Sequence, residues 1–198
     1  MLINSKEKIV DYFKSGIKKK LLIGVENEKF LFSKKYNKRA NYSEVKKVLS
    51  ILKSKYNWKP VKEKNNLIGL NYLGKSISLE PGNQIELAGD KLKNIHQVCF
   101  EGNLFQKQLD DACDQVGLSS MAIGYDPYTK LSKVPNNPKA RYKVMTKEMP
   151  KGGNLSLNMM YQTAGTQINL DYISENDFIK KFKLIASLTP LSIGIFAN

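Results

Sequence analysis

Residues 78–89 read SLEPGNQIELAG, two alternating runs joined by a Pro-Gly turn, with Glu80 on one side of the turn and Glu86 on the other. Pro81 presets one backbone angle and Gly82 permits a positive one, so SISLE and QIELA are predicted to be consecutive antiparallel strands. The length of the loop decides where the glutamates point. With Pro81-Gly82-Asn83 as the loop, Glu80 lies opposite Gln84 and Ser78 opposite Glu86, and both glutamates share one face. With Pro81-Gly82 alone they fall on opposite faces, because a one-residue slip inverts a strand.

Two more stretches have the same character: IGVENEKF at 23–30 and GTQINLD at 165–171. In an extended chain residues two apart share a face, which pairs Glu26 with Glu28 and Gln167 with Asn169. Glu26, Glu28, Glu80, Glu86, Gln167 and Asn169 are therefore candidate oxygen ligands. With no Cys or His among them, they suit a hard cation such as Mg2+ rather than zinc or copper. This reading prefers the three-residue loop. Magnesium is commonly gathered around a nucleotide's phosphates, so ATP is the expected partner. A lone Glu-x-Glu strand is ordinarily a solvated sheet face. Here Gly24, Phe30 and Phe32 lie on the glutamate side and Leu21, Ile23, Val25 and Leu31 on the other, a pattern of a strand covered on both faces, where buried carboxylates need partners.

The rest of the chain bounds this reading. Its 198 residues, 41% hydrophobic, suffice for one domain spanning 1–198. The formal net charge of +14 suggests nucleic acid, but the lysines are spread over most polar segments. The short clusters 18–20 and 34–39 lack interleaved aromatics, so no nucleic-acid partner is expected. No apolar run is long enough for a membrane span, and MLINSKEKIVDYF lacks a signal-peptide pattern, which points to a cytoplasmic protein. Cys99 and Cys113 fall on one predicted helix, roughly 21 Å apart at the helical rise, too far to bridge. His96 sits in the same helical pattern and reads as structural.

Helices are predicted at 5–15, from Ser43 to about Asn57, at 92–116 with Ile95, Cys99, Phe105, Leu109 and Cys113 in the core, over ARYKVMTKEM, and from Ser174 to a stop at Pro190. Strands are predicted at 21–32, over WKPVKE, NLIGLNYL, SISLE and QIELA, in LSSMAIGYDPY, and as a pair in NLSLNMMYQT and TQINLDYI. Met159 and Met160 read as core. The outcome is an α+β fold on a largely antiparallel sheet flanked by helices. In a chain with only two arginines, Arg39 and Arg141, Arg141 is the candidate substrate-binding residue, its planar fork suited to a carboxylate; a surface ion pair is the alternative. Lys143, Lys147 and Lys151 read as solvated surface.

IGVENEKFLF, SISLEPGNQIELAG, ARYKVMTKEMPKGGNLSLNMMYQTAGTQINLDY and LTPLSIGIFAN resemble, in order and spacing, glutamate-cysteine ligase of the plant and proteobacterial type. The resemblance implies a glutamine-synthetase-like fold whose sheet forms a trough for ATP, magnesium, glutamate and cysteine. It further implies ATP-dependent phosphorylation of the glutamate side chain, followed by attack of the cysteine amine, the first step of glutathione synthesis. Glu26 and Glu28 match the family's paired acidic residues, Glu80 and Glu86 its EPGGQFEL segment, Gln167 and Asn169 its QVN segment, and Arg141 a corresponding Arg. The family usually has His at Asn27, Gly at Asn83, Asp at Asn158, and TCTVQVN where this chain reads TAGTQIN; none of these removes a proposed ligand. Family members continue well beyond the motif at which this chain stops. A piece of that length is expected to self-associate or to need a complementing carboxyl-terminal chain, and a non-catalytic remnant or a ligase for another amine are the rival readings.

Overall fold

The computed structural model describes residues 4–197, which fall into two compact units: 24–168, and a helical unit formed by the segment up to residue 23 together with residues from 169 onward. The larger unit is built on β1 (Ile23–Ser33), α2 (Tyr42–Lys55), β2 (Lys59–Glu63), β3 (Asn66–Tyr72), β4 (Lys75–Leu79), β5 (Ile85–Ala88), α3 (Ile95–Asp114), β6 (Leu118–Met121), α4 (Ala140–Glu148) and α5 (Ser156–Gln162), followed by β7 (Thr166–Leu170). The sheet runs β2-β3-β4-β5-β1-β6, with β7 also on β1. The ladders from β2 through β5 to β1 and β6 are antiparallel, which makes the expected α+β class the observed one.

One sheet face carries the main core. Ile77 and Leu79 of β4, Ile85 and Leu87 of β5 and Leu31 of β1 pack under α2 and α3. Helix α2 presents Val45, Val48, Leu49 and Leu52 at helical spacing, all fully buried. Its start is fixed by a capping box between Asn41 and Glu44, so Asn41, not Ser43, opens it. Helix α3 starts at its Asn94 cap and buries Phe105, Leu109 and Cys113, whereas Ile95 and Cys99 are exposed. Burial pushes the Cys113 thiol up to about 12, so it is an inert core residue.

The opposite face is divided. Phe30 and Phe32 form a second cluster with Ala164, while Glu26 and Glu28 on the same side of β1 are half-buried. The expectation that β1 is apolar on both sides therefore holds for its second half. NLSLNMMYQT, expected as a strand, is helix α5. Leu157, Met160 and Tyr161 stand at i, i+3 and i+4 and pack together against Val134, a face that a short alternating run satisfies as well as a strand does. Met160 is core as expected, but Met159 is exposed.

The helical unit contains α1 (Lys6–Lys14), capped by Ser5 as expected, and α6 (Glu175–Phe196), capped by Ser174. Helix α6 continues through Pro190 instead of stopping there. Proline removes one backbone donor, a loss confined to one rung of the helix, and the apolar run continues on both sides of it. Among the described residues no helix is long and apolar enough to cross a membrane.

Candidate functional site

The loop between β4 and β5 is the three-residue form. Glu80 N–H donates to Gln84 O at 2.8 Å, Asn83 N–H donates to Glu80 O at 2.8 Å, and Ser78 pairs with Glu86 across the ladder. The left-handed residue is Asn83 (φ 62°), not Gly82 as the turn chemistry suggested; asparagine tolerates that region better than other side chains. Gly82 is required for a different reason. A Cβ there would stand 2.7 Å from Tyr161 O, 2.8 Å from Arg39 Nη2 and 2.9 Å from Val134 Cγ1. Gly82→Ala is therefore expected to cost about 1–3 kcal/mol in urea denaturation. Gly102→Ala, on α3 with nothing within 4 Å, is expected to gain about 0.5–1 kcal/mol. Equal effects of the two substitutions would refute the close-packing account of Gly82.

This loop puts Glu80 and Glu86 on one face, and the sheet then lines up the other acids. Glu86 pairs with Ser78 on one side and with Glu28 of β1 on the other, and Glu26 pairs with Ala88. The result is a trough of about 930 Å3 lined by Glu26, Glu28, Glu80 and Glu86 with Ser78, Lys139, Arg141 and Gln167 among its walls. Five of the six expected ligands thus come together. Asn169 lies two residues beyond Gln167 on β7, within the helical unit.

The electrostatics of the trough follow from this convergence. Burial, then the charges of Glu80, Glu26 and Glu28, push the Glu86 carboxyl up to about 7. Glu28 is also raised, by burial first, although Gly165 N–H donates to its Oε2 at 2.8 Å and opposes the shift. Like charges placed directly opposite in adjacent strands destabilise a sheet. Among the described residues no group of three or more His, Cys, Asp or Glu side chains forms a ready-made metal cage.

Glu80 is the best-held acid. Ser78 Oγ donates to its Oε1 at 3.1 Å and Tyr142 OH to its Oε2 at 3.1 Å, while Arg141 Nη2 approaches Oε1 at 3.5 Å. Arg141 also donates to Tyr142 OH at 2.5 Å, and 60% of its side chain is exposed. It thus combines an ion pair to Glu80 with free access to the trough. Lys143, Lys147 and Lys151 are not among the trough's walls, and His96 is on α3, which covers the other sheet face. Sequence reasoning missed Tyr142, Lys139 and Asn137. Tyr142 and Lys139 flank Arg141 in ARY and PKA, but in a lysine-rich chain neither carried a signal of its own.

Arg39 is buried behind the turn. Its Nη1 donates to Asp126 at 2.7 Å, its Nη2 donates to Gly82 O at 2.6 Å, and its guanidinium lies 4.1 Å from the Phe30 ring centroid. It therefore anchors the loop that carries Glu80.

Residues 22–198 match the model of glutamate-cysteine ligase family 2. The chain is 41% identical over 196 residues to glutamate-cysteine ligase A, chloroplastic, of Oryza sativa subsp. japonica, covering 98% of this chain and 40% of the relative. It is 39% identical to the chloroplastic enzyme of Medicago truncatula and 37% identical to that of Arabidopsis thaliana, again over 98% of its own length and 39% and 38% of theirs. The chain thus spans about 40% of the length of the curated relatives it matches.

Proposed function

The chain belongs to glutamate-cysteine ligase family 2, and from that premise we propose that it builds part of a site joining the side-chain carboxylate of L-glutamate to the amino group of L-cysteine with ATP. In this reading the terminal phosphoryl group of ATP passes to the glutamate carboxylate. The cysteine amine then attacks the acyl carbon and phosphate leaves, giving γ-glutamylcysteine. Mg2+, when bound, would neutralise phosphate charge during the transfer.

The observation that carries the proposal is the facing pair Glu28 and Glu86 on adjacent central strands, with Glu80 and Glu26 beside them. Such an arrangement weakens the bare fold, and the donors fit a hard cation. Mg2+ is usually held by one or two carboxylates, with phosphate oxygens and water completing its shell, so a trough without a closed protein cage suits an ion that arrives with a nucleotide. Glu26, Glu28, Glu80, Glu86 and Gln167 are assigned to contact magnesium or to hold its ligands, and Arg141 to orient an anionic group of the substrate. The glutamine-synthetase-like architecture is part of the same proposal, supported by an antiparallel sheet with one face covered and one partly open. So is the cytoplasmic setting expected from the sequence, although the relatives carry the word chloroplastic in their names.

The test is ADP release by the 198-residue chain with ATP, Mg2+, glutamate and cysteine, each omitted in turn. Release requiring both amino acids is the expected result. Magnesium-dependent nucleotide binding without release would assign these residues to a half-site that needs a complementing chain. The absence of both release and magnesium-dependent nucleotide binding would overturn the proposal.

A further inference from the structure

Beside the exposed Arg141, the acidic trough contains a buried cation. Lys139 is 8% exposed, lines the trough, and rests its ammonium 5.6 Å from the Tyr142 ring centroid. It reaches this place through a backbone bracket. Asn137 Nδ2 donates to Glu80 O at 2.6 Å, and Asn137 Oδ1 accepts from Lys139 N–H at 3.0 Å. One buried side chain thus ties the residue carrying the ammonium to the residue carrying the best-held carboxylate. The next residue is fixed as well, because Ala140 N–H donates to Glu63 Oε1 at 2.9 Å at the start of α4. A surface lysine needs none of this. Burial disfavours its charged form, while Glu80, Glu86 and Glu63 favour it and Arg141 opposes it. Lys139 shares the walls of the trough with Glu80 and Glu86, the acids whose charge offsets part of the cost of its burial.

Resting on the reading above, we propose that Lys139 is the trough's resident counter-ion, competing with a divalent cation for the field of Glu80 and Glu86 and contacting the phosphate oxygens that arrive with that cation. The two roles give opposite signs. Removing the ammonium leaves more negative potential for a bare cation and less positive charge for an anion. A lysine that serves only packing would move both affinities the same way or neither.

The test is isothermal titration of the 198-residue chain with Mg2+ alone, and with inorganic pyrophosphate at saturating Mg2+. Lys139→Met keeps the buried stem without the charge, and Lys139→Arg keeps the charge. Lys139→Met is expected to bind Mg2+ about ten-fold more tightly and pyrophosphate about ten-fold more weakly than wild type. Lys139→Arg is expected to stay within about three-fold of wild type on both. If Lys139→Met does not fold, Lys139→Gln takes its place with the same expectations. Unchanged affinities, or both falling together, in a charge-removing variant that retains its circular dichroism would overturn the counter-ion role. In that event, wild-type Mg2+ uptake that is lost in Glu86→Gln would leave the ligase reading standing. The absence of any binding by wild type, of Mg2+ alone or of pyrophosphate with Mg2+, would overturn both.

Discussion

Replacing Arg39 by alanine is expected to lower the stability of the 24–168 unit by about 3–5 kcal/mol, because it leaves the buried Asp126 carboxylate without its cation. Arg39 and Asp126 side chains are 2% and 0% exposed and 2.7 Å apart. Asp126 also accepts from the N–H groups of Tyr128 and Thr129 at 3.0 and 3.1 Å, so its ionised form is built into the turn, and its carboxyl sits below the usual range although burial alone would raise it. Arg39 is buried by the same packing, stacked on Phe30 and bonded to Gly82 O. A loss of 3–5 kcal/mol is a large share of the total for a domain of ordinary stability. The measurement is urea denaturation followed through Trp58, the single tryptophan, which is buried. Arg39→Met combined with Asp126→Leu should be less destabilised than either single variant, since the double change removes both charges. A midpoint within about 1 kcal/mol of wild type for Arg39→Ala would sink the account.

Glu86→Gln is expected to reduce magnesium-dependent nucleotide binding at least about ten-fold while raising the melting temperature of the metal-free chain at pH 8. The stability effect follows from linkage. The folded Glu86 carboxyl titrates at about 7, against an ordinary value of 4.5, so between these values the folded state holds more protons than the unfolded state. Stability then falls as pH rises through 7, and the glutamine, which cannot ionise, escapes that loss. At pH 4, below both values, wild type and variant should melt together. At pH 8 the variant should melt higher, and added Mg2+ should restore wild type but not the variant. Ligand residues commonly show this exchange of stability for function. A variant that melts lower at pH 8, or one with wild-type nucleotide binding, would show that Glu86 serves the fold instead.

Much of this site was legible because it is written in strands. A period of two, a Pro-Gly turn and a choice between two loop lengths placed Glu80, Glu86, Glu26 and Glu28 on faces, and the observed Ser78–Glu86 register selects the loop that the metal reading required. The assignment failed where one pattern satisfies two periods, as in Leu157, Met160 and Tyr161 of α5, and where an apolar run continues as helix through Pro190. The roles of Arg39, Asn137 and Lys139 were not legible at all. Each acts through partners far away in sequence: Asp126 and Gly82 for Arg39, Glu80 for Asn137, and Glu80 and Glu86 for Lys139. No local spacing encodes such partners.

The pairing of β1 has a consequence for how the trough can respond to its own charge. β1 is bonded to β5 through Glu26–Lys29, to β6 through Phe30–Ser33, and to Gly165 beside β7 through the Glu28 N–H. Ladder hydrogen bonds hold the Cβ atoms of facing residues about 4.5–5.5 Å apart, so the strands that carry Glu28 and Glu86 cannot drift apart to relieve the repulsion. The arrangement resembles a capacitor with fixed plates, in which the backbone spacing is set and the charge varies. A proton or a cation entering the gap changes the stored energy directly, and no hinge or sliding strand is needed to register its arrival.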